Sequence, residues 1–404
     1  MSGLFKGRTW WKRSELKKSY DVVIIGGGGH GMATAYYLAK VHGIKNVAVL
    51  EKNYIGAGGT GRNTTIIRSN YRTPEGIRFY ERSMELFRGL SQELDINMML
   101  STLGHFTLAH TDSSVRVQRE RGETNRLLGV NSKLIGREEI AELCPELNMS
   151  TDVAYPIQAA LYHPPGATLR HDAVVWGYAT GAYHQGVHLH QGVEVTGIRK
   201  DASGRCTGVD TTAGPIDAGV VISAVAGWTT QICDMAGIRT PITNHPLQAF
   251  VTEPVKPMLH KILVSANLHV YVSQTDRGEF LIGSEIEPYT TYSFRSTFTF
   301  TQHSAANALD LVPQLARLKI LRQWTGYCDM TPDYSPIMGE TEVENFYLDA
   351  GWGTWGFKAT AVCGETMAEM AATRRTPELI SAFGLSRFAD EQLVPEKAAA
   401  SVSH

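Results

Sequence analysis

The chain has 404 residues, with 38 basic and 40 acidic side chains and a formal net charge of −2. The length predicts two domains or one domain with a large insertion. The balanced charge gives no electrostatic reason to expect nucleic acid or an anionic membrane as a partner, and no apolar run approaches the roughly 20 residues of a membrane span.

The first eighteen residues are basic and aromatic, without the apolar core and the small-residue cleavage site of a secretory signal. The five cysteines are scattered and never form a Cys-x-x-Cys pair, which argues against a disulfide framework or a zinc site. We therefore expect a cytoplasmic protein without a bound metal. Residues 1–19 are expected to be an N-terminal extension.

The first predicted element is a buried parallel strand over residues 22–25, followed by a glycine-rich turn and a helix. In the turn, Gly26, Gly28 and Gly31 complete G-x-G-x-x-G. The first glycine permits the tight turn, the second lets a pyrophosphate approach the backbone, and the third lets the helix pack on the strand. The next strand ends at Glu51, an acid placed to bind ribose hydroxyls and to disfavour a 2′-phosphate. This order of elements predicts a dinucleotide-binding domain.

The other parts of this domain lie far down the chain, which favours FAD over NAD. Residues 192–229 alternate strands and turns, and residues 345–372 give a strand, a glycine-rich loop and a closing helix. An NAD dehydrogenase would usually complete its nucleotide domain in one block. An interrupted sheet is typical of glutathione-reductase-like flavoproteins.

We predict an α/β (α+β) fold, with a glutathione-reductase-like Rossmann domain built from discontinuous segments and a substrate domain that contains a mixed sheet. The FAD-binding domain is predicted from residues 20–85, 155–233 and 330–390. The substrate domain is predicted from residues 86–154 and 234–329. Residues 391–404 are expected to form a loosely ordered tail.

A predicted apolar helix follows the turn PPGATLR and carries His171 just inside its start. Arg170 precedes the histidine and Asp172 follows it. An ordinary helix start explains these three residues without a bound ligand, because Asp172 suits the positive end of the helix dipole.

Several motifs together resemble the D-amino-acid-oxidase-like flavoenzymes, and among them the β subunits of the heterotetrameric sarcosine oxidase family. They are VVIIGGGGHG, NVAVLEK, RNTTIIRSNY, HPLQA, HVYVSQ and GWGT-GFK, and the match runs from about Tyr20 to the C-terminus. The FAD site that this resemblance implies consists of Gly26, Gly28, Gly29, His30, Gly31, Glu51, Gly59, Arg62, Thr64, Ile66, Val195, Gly353, Gly356 and Lys358.

Arg68 follows the β-branched run TTII, and a buried arginine requires an anionic partner. In related amine oxidases the arginine at this position holds the substrate carboxylate, helped by a lysine at the position of Lys358. The resemblance implies that these two residues bind sarcosine while its N-methyl group passes a hydride equivalent to FAD. We assign no general base, although His245 and His269 are the histidines to test.

Three positions depart from the family pattern. Gly326 stands where single-subunit relatives tether FAD to a cysteine, so FAD should be non-covalent. Leu281 replaces a lysine that promotes the reaction with oxygen, so the electrons should need another exit. Trp355 occupies a position where we expect glycine, and its bulk beside the flavin should alter substrate fit.

In the heterotetrameric family, the histidine at the position of His171 carries FMN covalently through the 8α carbon. The resemblance therefore implies FAD, covalent FMN and oxygen as successive electron acceptors, with alpha, gamma and delta subunits as partners.

Two other functions stay open. One is a related secondary-amine or imino-acid dehydrogenase with another electron acceptor, because Trp355 should alter substrate fit. The other is a non-catalytic flavin-bearing scaffold subunit, against which the presence of Arg68 and Lys358 argues.

Overall fold

The computed structural model describes residues 10–284 and 286–396. Residues 1–9 of the predicted extension and residues 397–404 of the predicted tail lie outside the described residues.

The strands of the described chain are β1 (Ser19–Ile25), β2 (Val47–Glu51), β3 (Ile66–Ile67), β4 (Ser101–Thr102), β5 (His105–Ala109), β6 (Lys133–Gly136), β7 (Ala159–His163), β8 (Ala167–Thr168), β9 (His188–Gln191), β10 (Val195–Lys200), β11 (Cys206–Thr211), β12 (Ile216–Ser223), β13 (Thr243–Thr252), β14 (Ile262–Ser265), β15 (Val270–Gln274), β16 (Phe280–Ser284), β17 (Ile320–Met330), β18 (Ile337–Glu340) and β19 (Phe346–Ala350). Its α-helices are α1 (Gly29–Lys40), α2 (Pro74–Glu93), α3 (Asp112–Leu127), α4 (Arg137–Leu143), α5 (His171–His184), α6 (Thr229–Ala236), α7 (Phe298–Leu311) and α8 (Gly356–Thr373).

The first sheet has the strand order β10-β11-β12-β1-β2-β9, and β19 pairs with the C-terminal half of β12 and with β18. Its central strands are parallel and almost fully buried, as their unbroken apolar runs require. Helices α1, α5 and α8 pack together over one face, and α6 covers part of the other. Three distant parts of the chain thus build one sheet, which confirms the predicted discontinuous fold.

The second sheet has the order β17-β13-β16-β15-β14-β5-β7-β6. It is mixed, because β14 and β5 run parallel while its other pairs are antiparallel. Phe106, Phe250 and Phe280 are buried in its apolar core. A short sheet, β3-β8-β4, lies elsewhere in the chain.

The pairing of β7 differs from the predicted domain boundaries. We placed residues 155–163 in the FAD-binding domain, whereas β7 pairs along its whole length with β5 and for four residues with β6. Main-chain hydrogen bonds on both sides hold this segment in the second sheet. The other boundaries stay predictions.

No helix in residues 10–284 and 286–396 is long and apolar enough to cross a membrane. The thiols of Cys144, Cys206, Cys233, Cys328 and Cys363 are free and buried.

A buried ion pair fastens the C-terminal segment to the turn after β17. The Arg387 Nε and Nη2 atoms donate to the two carboxylate oxygens of Asp333 at 2.8 and 2.9 Å, and the two side chains are 4% and 0% exposed. Although burial acts in the opposite direction, Arg387 holds the pKa of Asp333 below its ordinary value.

We expect Arg387→Met to lower the free energy of unfolding by about 3–5 kcal/mol, because it leaves a buried carboxylate unpaired. Arg199→Met, which removes a partly exposed pair with Asp217, should cost at most about 1 kcal/mol. Urea unfolding at pH 7 measures both. Because the Asp333 pKa is depressed when folded, the contribution is present above the unfolded pKa and is lost as the pH falls. Equal losses for the two variants would contradict the assignment.

Candidate functional site

A cavity of about 460 Å³ lies where the carboxyl ends of the parallel strands meet the second sheet. The first sheet contributes Ile25, Glu51 and Asp349 to its lining, and the second contributes Tyr271 and Cys328. The edge where parallel strands end is the usual ligand position in open α/β sheets.

Close backbone contacts explain the glycines of the first turn. Gly26 has a φ of +110°, and a Cβ there would lie 2.3 Å from the carbonyl oxygen of Ala224. At Gly31 a Cβ would lie 2.1 Å from the Gly26 oxygen, so only glycine lets α1 approach β1. At Gly28 an added Cβ would meet only Thr60 Oγ1 within 4 Å, at 3.3 Å. The backbone at Gly28 is therefore open to a ligand.

Glu51 organises the end of β2. Its two carboxylate oxygens accept the backbone N–H groups of Gly27 and Asn53 at 2.9 and 2.8 Å. Thr60 Oγ1 accepts the N–H of Gly29 at 2.9 Å. These contacts fix the turn that leads into α1, whose first two residues line the cavity.

Most of the residues that we predicted to hold FAD line this cavity: Gly26, Gly28, Gly29, His30, Glu51, Gly59, Arg62, Thr64, Val195, Gly353 and Gly356. Gly31 packs beneath the turn, and Ile66 and Lys358 are not among the lining residues.

A hydrogen-bonded cluster around Asp349 stands at one side of the cavity. The Asp349 carboxylate accepts from His30 Nδ1 at 3.0 Å, from Trp352 Nε1 at 2.5 Å and from the Cys363 thiol at 2.9 Å. His30 Nε2 lies 2.6 Å from the Gly356 oxygen. Burial opposes a charge on His30, but Asp349 and the Gly356 carbonyl raise its pKa. Both ring nitrogens face acceptors, so the protonated ring of His30 can donate to both and join the start of α1 to the start of α8.

Asp329 holds the same loop from the second sheet. Its carboxylate accepts the N–H of Gly351 at 2.7 Å, and its carbonyl accepts the N–H of Gly353 at 3.1 Å. Burial raises the pKa of Asp329 to about 6. Two aspartates thus fix the glycine-rich loop that leads to α8.

The structure brings Arg68 and Lys358 into one electrostatic cluster. Arg68 Nη1 donates to the carbonyl and the side-chain oxygen of Asn70 at 3.1 and 3.0 Å, and the guanidinium carbon lies 4.3 Å from the Tyr71 ring centroid. Lys358 Nζ donates to the Thr354 oxygen at 3.3 Å. Burial and the Arg68 charge lower the pKa of Lys358 to about 7. A carboxylate placed here would be stabilised by both cations.

The indole of Trp355 packs away from this cavity, and its effect on substrate fit stays a prediction. The indole is 2% exposed and stacks on Tyr71 with ring centroids 4.6 Å apart, and it also contacts Tyr80. It is not among the residues that line the cavity. Trp355 therefore packs behind the segment of Arg68 instead of narrowing the cavity.

Unlike His30, the other histidines singled out from the sequence, His171, His245 and His269, are not among the residues that line the cavity. His171 is half-buried at the first position of α5, and an ion pair joins its neighbours Arg170 and Asp172. Burial lowers the pKa of His171. His245 bonds to the Glu287 carbonyl at 2.9 Å, and the His269 carbonyl accepts from Ser284.

Sequence reasoning missed Asp349, Trp228 and Tyr271, which line the cavity. Asp349 lies near the end of β19, and Trp228 follows β12. Their positions at the ends of buried parallel strands could have identified both as candidate site residues. Tyr271 lies on β15, and the sequence pattern gives no sign that it reaches the cavity.

Comparison with known proteins gives consistent results. Residues 21–370 match the model of the family described as FAD dependent oxidoreductase. The chain is 44% identical over 400 residues to "Sarcosine oxidase subunit beta" of Rhizobium meliloti (strain 1021), covering 98% of this chain and 96% of that protein. The same name and identity are found for an Arthrobacter protein over 394 residues, covering 98% and 97%. L-proline dehydrogenase from P. horikoshii superposes with a TM-score of 0.88 at 31% identity, covering 94% of this chain and 100% of that one.

We expect Asp349→Asn to lower the pKa of His30 below its ordinary 6.5, because burial then acts without the carboxylate. The variant should also lose about 3–5 kcal/mol of stability, since a buried charge loses its partner. In the wild type, the raised pKa contributes stability that is full below the unfolded pKa and is lost as the pH rises through the folded value.

NMR titration of labelled histidine rings, assigned with His30→Gln, measures the first effect, and urea unfolding measures the second. Asp234→Asn, an exposed aspartate on α6, is the control. A His30 titration that Asp349→Asn leaves unchanged would show that the carboxylate does not hold the proton.

Proposed function

We propose that this chain, which belongs to the FAD-dependent oxidoreductase family, is the β subunit of a sarcosine oxidase and carries the site at which the N-methyl group of sarcosine is oxidised. The observation that carries the proposal is the pair of cations Arg68 and Lys358: Arg68 lies over the Tyr71 ring, which stacks on Trp355 just before α8, and the charge of Arg68 lowers the pKa of Lys358. The 44% identity to sarcosine oxidase β subunits over 98% of the chain supports the substrate.

The cavity fits FAD. Gly28 leaves the backbone open to a ligand, and the carboxylate of Glu51 stands at the end of β2 as a ribose partner. The first turn of α1 supplies amides for a pyrophosphate. FAD, when bound, supplies the acceptor for a hydride equivalent.

Binding of this FAD is non-covalent in our proposal. Gly326 lines the cavity without a side chain that could attack the flavin. Cys328 also lines the cavity, but burial raises the pKa of its thiol, so it is not the thiolate that forms such bonds.

Arg68 and Lys358 hold the substrate carboxylate and thereby orient its N-methyl group. With a pKa of about 7 in the free site, Lys358 is partly neutral at physiological pH. A bound carboxylate favours its charged form. Substrate binding therefore takes up a proton above pH 7. The secondary amine needs no protein nucleophile.

We expect Arg68→Met and Lys358→Met each to slow anaerobic reduction of bound FAD by sarcosine at least about a hundredfold, because a charge-assisted partner of the carboxylate is lost. Affinity for acetate should fall above pH 7 in the wild type, by up to about tenfold per pH unit, since Lys358 must be protonated to bind. Stopped-flow absorbance and acetate titration of the flavin spectrum measure these effects.

Lys358→Arg is the matched control, because arginine stays charged and should remove the pH dependence while keeping acetate binding. Wild-type reduction rates in both methionine variants would contradict the carboxylate assignment. Reduction by L-proline but not by sarcosine would instead favour an imino-acid dehydrogenase, the function that the named structural neighbour suggests.

We further propose that His171 carries covalent FMN, with alpha, gamma and delta subunits completing the complex. Burial lowers the pKa of His171, which favours the neutral imidazole that a bond to the flavin 8α carbon requires. Asp172 opposes this effect, whereas the charges of Arg170 and Arg277 lower the pKa further. Leu281 is buried in β16 and supplies no cation for the reaction with oxygen, so the second flavin provides the onward route.

The peptide from the assembled complex that contains His171 should be heavier by the mass of one FMN less two hydrogen atoms, because the new N–C bond replaces an imidazole N–H and a flavin C–H bond and oxygen takes up the two electrons and two protons. His171→Asn should release a colourless chain after acid denaturation, because no imidazole remains to form the bond, and its FAD should still be reduced by sarcosine. Peptide mass spectrometry and absorbance of the denatured chain measure these results. His184→Asn, at the other end of α5, is the control. An unmodified peptide from the assembled complex would contradict the attachment.

A further inference from the structure

A second arginine, Arg121, donates hydrogen bonds to the backbone two residues after Arg68. Arg121 of α3 is 6% exposed, and its Nε donates to the carbonyl oxygen of Asn70 at 2.8 Å while its Nη2 donates to the same oxygen. Arg68 Nη1 donates to this oxygen as well, at 3.1 Å. One carbonyl oxygen therefore receives N–H groups from two guanidinium ions.

This arrangement is unfavourable by itself. Burial and the charge of Arg68 lower the pKa of Arg121 to about 9. The negative charge that favours Arg121, Glu396, is already bound to the N–H groups of Arg72 and Thr73. Taking a charged side chain out of water is costly unless an opposite charge and good hydrogen-bond geometry compensate. Stability alone does not explain why the fold places a second cation here.

Helix α3 holds the segment after Arg68 at two consecutive positions of the chain. One helical turn beyond Arg121, Asn125 Nδ2 donates to the carbonyl oxygen of Tyr71 at 2.8 Å. The Asn70 side chain also accepts from Arg68. The Arg68 side chain is thus bound to Asn70, whose backbone is held by α3. The Arg68 guanidinium also lies over the Tyr71 ring.

We propose that Arg121 is a positioning residue for the substrate carboxylate: its hydrogen bonds to the Asn70 carbonyl oxygen fix the position from which Arg68 reaches the carboxylate. The proposal rests on the carboxylate role of Arg68 proposed above. Arg121 itself is not placed in contact with substrate, so its effect passes through Arg68.

The test uses the FAD-loaded protein and acetate, which has a carboxylate but no C–N bond to oxidise. Arg121→Met should raise the Kd for acetate roughly tenfold or more, as expected when charge-assisted hydrogen bonds are lost, with unchanged FAD content. Arg121→Lys can keep one of the two N–H contacts to the Asn70 carbonyl oxygen and should show a smaller loss. Arg119→Met, an exposed arginine on the same helix, should bind acetate as the wild type does.

The double variant separates positioning from general destabilisation. Because Arg121 acts through Arg68, Arg68→Met/Arg121→Met should bind acetate no more weakly than Arg68→Met alone. Additive losses, or wild-type affinity in Arg121→Met, would overturn the inference. If Arg121→Met is not recovered folded, Arg121→Lys decides, and wild-type acetate affinity in that variant would overturn it.

The two proposals can fail separately. Wild-type acetate affinity in Arg68→Met would show that the proposed carboxylate site is wrong. A large loss in Arg68→Met with no loss in Arg121→Met would leave that site intact and reject only the role of Arg121.

Discussion

The repulsion between closely placed cations is the constraint on which this site depends. Arg68 and Arg121 both donate to the carbonyl oxygen of Asn70. Burial and the charge of Arg68 together lower the pKa of Lys358 to about 7. The two nearby histidines add no charge: burial and the same cations hold the pKa of His105 well below its ordinary value and lower that of His163 to about 3. A site with this excess of positive charge is stabilised by an anionic ligand, and a small carboxylate supplies the charge at little cost in volume.

The cations are kept together because they are fixed from separate parts of the chain. Helix α3 holds the peptide of Arg68, while Asp329 and Asp349 hold the loop that leads to Lys358. Tyr71 links the two, since its ring contacts the Arg68 guanidinium and stacks on Trp355. The tryptophan that departs from the family pattern is therefore part of the connection between the two cations. A rigid frame of this kind holds the two cations in the binding geometry before a ligand arrives.

Sequence alone predicted the parts of the molecule that depend on short-range patterns. The turn from Gly26 to Gly31 was found because close backbone contacts permit no other residue at its two ends. Arg121 was missed because it stands in a run of charged residues that predicts a solvated helix face, and only the pairing of β5, β6 and β7 shows that this face of α3 is covered. Asp349 was missed for a similar reason, since its partners His30 and Cys363 are distant in the chain. The pairing of β7 also depends on strands far from it in sequence, and no local pattern specifies it.

The position of His171 follows from helix packing. Helix α5 lies against α1, and Gly181 permits the contact, because a Cβ there would come within 2.8 Å of the Tyr36 ring. At Gly177 a Cβ would lie 2.8 Å from Ile96, so α5 is also held against the segment that follows α2. These contacts leave α5 little freedom to slide along α1, whose first turn carries the amides of the proposed FAD site. The start of α5 is therefore fixed relative to that site by this chain alone. In the proposed complex, a partner would complete the surroundings of the second flavin, while the separation of the two flavins would be set by the close packing of α1 and α5.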